Sequence, residues 1–327
     1  MTRELAHVRV LVTGGTGFIG SHLVRRLVRE EACVHVLARP GRPPGRIADL
    51  GGRVTLWAAD LADRPAVRAC VAGSRPQVVF HLAGDSAGRH FDGWERLDQS
   101  VDANLGNVLN LLQAIHDAGG SPPVVVRVGG LEEYGQGPVP YDEDQRESPV
   151  SPYSASQVAA THFCQMLGRS LGLPIVTLRL ALTYGPSQAP SFLIPALIHH
   201  CLEGRGFAMT AGDQRRDYVF VGDAVEALLR AAVTPEAGGQ IINVGSGVES
   251  RVLDVAQAVV RLAGAIDLHV GAVAARRTEI QHLVCNPAKA ERLLDWTATT
   301  SLEDGLARTV AWYREHSAGF AREAICS

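Results

Sequence analysis

The stretch VLVTGGTGFIGSHLV at 10–24 constrains the fold more than any other part of the chain. A short β-branched run gives way to Gly14, Gly17 and Gly20, with Phe18 and Ile19 between them, and then to a helical pattern. Glycines at this spacing let the backbone turn tightly, approach a pyrophosphate and pack the new helix against the strand. The helix N-terminus adds unpaired N–H groups and a dipole that favours phosphate. Strand, glycine turn and helix together predict a dinucleotide site.

The following residues repeat the alternation that such a site needs. Nearly continuous apolar runs at 8–13, 33–38, 53–60, 77–83, 123–129 and 174–180 are separated by amphipathic segments such as 21–31 and 103–119. Strands apolar on both faces and alternating with helices point to a doubly wound parallel sheet. After about residue 184 glycine and proline become frequent and short strands mix with helices such as 252–264 and 301–316. The expected division is a Rossmann domain over 1–183 with about 214–245, and a smaller α/β substrate domain over 184–213 and 246–327.

Composition narrows the function classes. The 327 residues are 46% hydrophobic and carry a net charge of −3, so no strong field draws nucleic acid or anionic lipid. No apolar run approaches the roughly 20 residues that span a bilayer. The N-terminus enters a strand without a signal-peptide pattern, which predicts a cytoplasmic protein. Six cysteines lie scattered without a C-x-x-C pair, and adjacent residues of the HHC run at 199–201 point different ways on a helix. Neither a disulfide framework nor a metal site is expected.

The end of the second strand bears on the cofactor's ribose. An acidic residue there accepts from a 2′-hydroxyl, whereas an arginine accommodates a 2′-phosphate. Ala38 and Arg39 occupy the position, with Arg42 close behind, which favours NADP and leaves NAD open. Asp60 and Leu61, at the end of the third strand, are placed to meet the adenine.

Taken together, TGGTGFIGSHL, VFHLAG, NLGNVLNLL, EEYG, SPYSASQ, LRLALTYGP, RRDYVFVGDAVEAL and NVGSG cover nearly the whole chain. In them it resembles the extended short-chain dehydrogenase/reductases that act on nucleotide sugars as epimerases, dehydratases and ketoreductases. The resemblance implies a homodimer built on a four-helix bundle. It also implies that Leu82, Ala83, Gly84 and Asn104 lie along the cofactor. Tyr153 matches the catalytic tyrosine. The lysine four residues on is Gln157 here, and the catalytic Ser/Thr, four before the tyrosine of the YG pair, is Gly130. Arg216 matches an arginine for the substrate diphosphate and Arg276 a second one. Leu182 stands where an asparagine is usual.

These departures bear on the direction of the chemistry. A phenol with a pKa near 10 is ionised in about one molecule per thousand at pH 7, and losing the neighbouring ammonium removes what favours phenolate. Oxidising a sugar alcohol calls for phenolate; reducing a ketone calls for neutral phenol. Gln157 therefore favours reduction of a keto-sugar with Tyr153 as proton donor. An epimerase or 4,6-dehydratase with tightly held NAD is the alternative, and a cofactor-binding protein with little redox chemistry a third. Losing the hydroxyl at Gly130 costs about 3 kcal/mol of transition-state stabilisation unless it is replaced. Glu132 is a candidate for proton transfer, against a solvated loop or helix cap, and Thr183 is a candidate replacement hydroxyl.

Overall fold

The computed structural model describes residues 5–41, 44–85, 91, 93–275 and 279–323; Arg42 and Arg276 lie outside them. The six expected strands form as β1 (Arg9–Thr13), β2 (Cys33–Ala38), β3 (Thr55–Ala58), β4 (Val78–His81), β5 (Val124–Gly130) and β6 (Ile175–Leu180). Beyond them come β7 (Leu182–Tyr184), β8 (Phe207–Met209), β9 (Arg215–Phe220), β10 (Ile241–Val244), β11 (Glu249–Arg251), β12 (Leu268–Val270) and β13 (His282–Leu283). The α-helices are α1 (Phe18–Arg29), α2 (Arg64–Ser74), α3 (Trp94–Val101), α4 (Asn107–Ala118), α5 (Pro152–Leu171), α6 (Leu193–Leu202), α7 (Val221–Val233), α8 (Val252–Ala263), α9 (Ala288–Leu294) and α10 (Leu302–Glu323).

The main sheet has the order β3-β2-β1-β4-β5-β6-β10, and every pairing is parallel. Side-chain alternation feeds two cores. From β1, Val10 and Val12 enter one core with α1 and α7, while Leu11 enters the other with α2, α4 and α5. Covering on both faces explains why these strands read as apolar throughout. The fold is therefore of the Rossmann type, a parallel sheet between helical layers.

Strand order reverses between β1 and β4, so the loops after these two strands part and leave a crevice at the carboxyl edge of the sheet. One residue, Ala181, separates β6 from β7, which pairs with β9 in a smaller sheet containing β11 and β13. That short connection holds the second sheet over the crevice. Helices α6, α8 and α10 pack a third core beside it.

Leu27 is fully buried on the inner face of α1, the helix that carries the glycine turn. Leu27→Ala should lower unfolding free energy by about 2–5 kcal/mol, measured as a shifted denaturant midpoint at unchanged m-value.

Candidate active site

The crevice is anchored by Gly14, whose φ of +72° suits glycine. A Cβ on it would lie 2.7 Å from Ala83 N and from Leu82 C, so the loops after β1 and β4 meet backbone to backbone. Thr13 Oγ1 reinforces the junction, hydrogen-bonding His81 Nδ1 at 2.8 Å and accepting from Ala83 N at 3.4 Å. Helix α1 starts after Gly17 with no side chain capping its first N–H groups. These donors and the close-packed glycines fit a dinucleotide pyrophosphate.

A cavity of about 660 Å³ opens there. It is lined by Gly14, Gly17, Phe18, Ile19 and Gly20, then by Leu82, Ala83 and Gly84, then by Gly130, Glu132, Tyr153 and Gln157, and finally by Thr183 and Arg216. Much of the sequence-derived set thus converges on one space. Four of its described members, Arg39, Asp60, Leu61 and Asn104, stand apart from that lining. Arg39 is exposed after β2. Asp60 accepts from Ala62 N at 2.9 Å, and the carbonyl of buried Leu61 accepts from Asn110 Nδ2 at 2.9 Å, both in the turn after β3. Arg46, which the sequence reading passed over, does line the cavity, and its Nε donates to Ser187 O and Oγ, each at 2.8 Å.

Asn104 lies in a π-helical turn, Asp102–Gly106, between α3 and α4. Its Oδ1 accepts from Asp85 N at 2.8 Å and its Nδ2 donates to Ser156 Oγ at 3.0 Å. It therefore ties the loop after β4 to the helix carrying Tyr153. That helix, α5, starts with Pro152 and is capped by Ser151, whose Oγ accepts from Ser154 N at 3.1 Å. Ser154 and Ser156 are thereby engaged in building the helix start, Ser156 Oγ donating to Tyr153 O at 2.9 Å. Tyr153 and Gln157 share one face by their i, i+4 spacing.

The glycine at 130 has a spatial counterpart. A Cβ there would sit 2.7 Å from Glu132 Oε2 and 3.4 Å from the Tyr153 hydroxyl. A carboxylate oxygen and a phenol thus crowd the space that a side chain at 130 would need. The two glutamates divide their work. Glu132 lines the cavity, while Glu133 is buried, with Gly130 N donating to its Oε1 at 3.2 Å and Arg179 Nε to its Oε2 at 3.0 Å. Tyr134 is turned away, donating to Asn243 Oδ1 at 2.8 Å with the Arg179 guanidinium 4.4 Å from its ring centre.

On the opposite wall, Thr183 Oγ1 donates to Ala181 O at 3.2 Å. Arg216 is nearly buried and its Nη2 forms an ion pair with Glu279, a partner that sequence reading did not single out. The HHC residues go to structural places. His199 packs on the Tyr313 ring at 5.2 Å, His200 meets Phe207 at 5.0 Å, and Cys201 enters the third core.

Fold and crevice define a dinucleotide-binding α/β protein of the Rossmann type. The family model for the NAD dependent epimerase/dehydratase family matches residues 10–245, and the chain belongs to that family. It is 32% identical over 324 residues to a UDP-glucose 4-epimerase of Mycolicibacterium smegmatis, covering 95% of this chain and all of the relative. It is 29% identical over 342 residues to dTDP-glucose 4,6-dehydratase 1 of Escherichia coli, covering 94% and 92%. A solved UDP-glucose 4-epimerase of Thermus thermophilus in complex with NAD superposes with a TM-score of 0.84 at 30% identity, covering 93% and 98%.

Burial, and secondarily the Arg127 cation, hold His81 neutral, with its pKa down to about 3 from 6.5. The unfolded chain takes up this proton below about 6.5 and the native state does not. Stability is therefore full above that value and falls as pH drops towards 3, by up to about 1.4 kcal/mol per pH unit. His81→Asn should flatten the loss of melting temperature between pH 7 and 5. A smaller slope of the same sign should remain from His22 and His199, both also lowered chiefly by burial.

Proposed function

We propose that this chain is an NAD(P)-dependent oxidoreductase that reduces a keto group on a nucleotide-activated sugar, with Tyr153 as proton donor. The observation that carries this reading is the convergence of Tyr153 and Glu132 on the space above Gly130, with an amide rather than an ammonium at Gln157. A carboxylate beside a phenol works against phenolate, and a neutral amide offers no net charge in its favour. Neutral phenol is the form that gives a proton to a ketone oxygen.

The turn from Gly14 to Gly20 would hold the pyrophosphate, and Leu82, Ala83, Gly84, Asn104 and Gln157 would border the nicotinamide half. When bound, the cofactor supplies the two reducing electrons. Tyr153 protonates the sugar oxygen as negative charge develops on it. Glu132, at the mouth of the same space, returns a proton to Tyr153 or, when itself protonated, donates to the substrate oxygen. Thr183 and Arg216 face the sugar and diphosphate, and the diphosphate would take the Arg216 guanidinium from Glu279. The exposed Arg39 and the cavity-lining Arg46 support NADP; the relatives' family supports NAD.

Epimerisation or 4,6-dehydration with retained NAD is the second reading. It is favoured by the relatives and by the Glu132 carboxylate, which is suited to removing a proton beside a carbonyl. A panel of dTDP- and UDP-linked keto-sugars with NADPH or NADH, beside the corresponding dTDP- and UDP-hexoses without added cofactor, separates the two. Reduction predicts loss of absorbance at 340 nm; Tyr153→Phe should lower kcat at least about a hundredfold, and Glu132→Gln should lower kcat with little change in KM. Turnover without added cofactor and without net absorbance change would establish the second reading.

A homodimer through α3 and α5 is supported by side chains exposed on those helices: Trp94 at 75%, Phe163 at 42% and Met166 at 41%. Large apolar side chains left exposed on two neighbouring helices suit an interface. Phe163→Glu with Met166→Glu should halve the mass seen by light scattering while cofactor affinity is kept.

A further inference from the structure

The residue at 157 cannot be understood without Arg127, an arginine in the interior of β5. It is 1% exposed and lies between His81 of β4 and Thr177 of β6 in the strand register. A guanidinium is expensive to place there, because burial removes its hydration, and several kcal/mol must be offset by partners. Its hydrogen bonds define what it is for. Nη1 donates to Thr161 Oγ1 at 2.8 Å, and Thr161 in turn donates to the Glu133 carboxylate at 2.7 Å. Nη2 donates to the Gln157 carbonyl at 3.2 Å and to the Gln157 side-chain Oε1.

The last contact fixes an orientation. An arginine has donors and no acceptor, so only the oxygen of the Gln157 amide can face it. The NH2 group must then face the other way. It does, lying 3.7 Å from where a Cβ on Gly84 would be, on the cofactor side of the cavity. Hydrogen bonding to a cation also polarises the amide and strengthens its N–H groups as donors. No lysine elsewhere can supply the missing charge. Lys289, in α9, is the only lysine of the chain, and it acts on Glu143, whose carboxylate accepts from Asn243 N of β10 at 2.8 Å.

We infer that Arg127 is a positioning residue that locks Gln157 with its amide NH2 towards the nicotinamide half of the cofactor, so that an oriented amide takes over the hydrogen bond an ammonium would give there, without its charge. The inference rests on the dinucleotide reading of the cavity and stands apart from the direction of catalysis. It requires that Arg127 matter to one half of the cofactor and leave the other alone. ADP reports on the adenosine half, whereas NADH and NADPH engage both.

The experiment is calorimetric titration of the full chain with ADP, NADH and NADPH. Arg127→Met should weaken the preferred dinucleotide about tenfold, the loss of one to two hydrogen bonds, and leave ADP affinity unchanged. Gln157→Glu gives a fold-independent check, since a carboxylate accepts the Arg127 hydrogen bonds but has no NH2 to offer. It should melt at or above the wild-type temperature while losing the same tenfold for the dinucleotide and none for ADP. Equal weakening of ADP and dinucleotide in both variants would assign Arg127 a purely structural role and overturn the inference. So would wild-type dinucleotide affinity in Gln157→Glu. Failure of every keto-sugar to turn over would refute reduction and leave this result standing.

Discussion

The approach of the Gly14 backbone to Leu82 and Ala83 is the contact on which the rest of the molecule depends. It occurs where the order of strands reverses, between β1 and β4, so the two loops diverge instead of following one another along the sheet. Helix α1 can begin at Gly17 with bare N–H groups because no side chain intrudes between the loops. Thr13 and the neutral His81 brace the junction from beneath, and Asn104 links it to α5. A larger residue at Gly14 would separate β1 from β4 before it touched any ligand.

A second constraint runs below the catalytic face. Glu133 gathers Gly130 N, Thr161 and Arg179, and Arg179 also pairs with Glu147 at 2.5 Å. Through Thr161 this network reaches Arg127 and so Gln157. Removing one member of a buried charged group typically costs about 3–5 kcal/mol, because the remaining charge is left uncompensated. The network therefore holds the end of β5 and the first turns of α5 in one register, which in turn places Glu132 and Tyr153 around Gly130.

Much of this was legible in the sequence. The strand runs, the glycine turn and the sharing of one helix face by Tyr153 and Gln157 follow from period and spacing, whereas Gly130 was singled out only by the family resemblance. Other parts were not. EEYG offers Glu132 as a candidate without giving its neighbour a task, and only the direction of each side chain after β5 sets the cavity-lining Glu132 apart from the buried Glu133. Arg46 sits in a short 3-10 turn and Glu279 in an irregular segment, and both reach the site through contacts with residues far along the chain. Arg127 reads as one polar interruption in an apolar strand, a signal that marks a buried charge without naming its partner.

The sequence by itself determined the parallel sheet and the dinucleotide turn, because backbone periodicity and glycine conformational freedom are local properties; Gly130 and Gln157 stood out only against the family resemblance. Only the tertiary structure decided which side chains surround Gly130 and Gln157. Glu132 enters the space over Gly130 because β5 ends beside α5, and Arg127 meets Gln157 because that helix packs across the strand. Both relations are fixed by packing between segments some 20 to 30 residues apart, a distance over which sequence spacing carries no geometry.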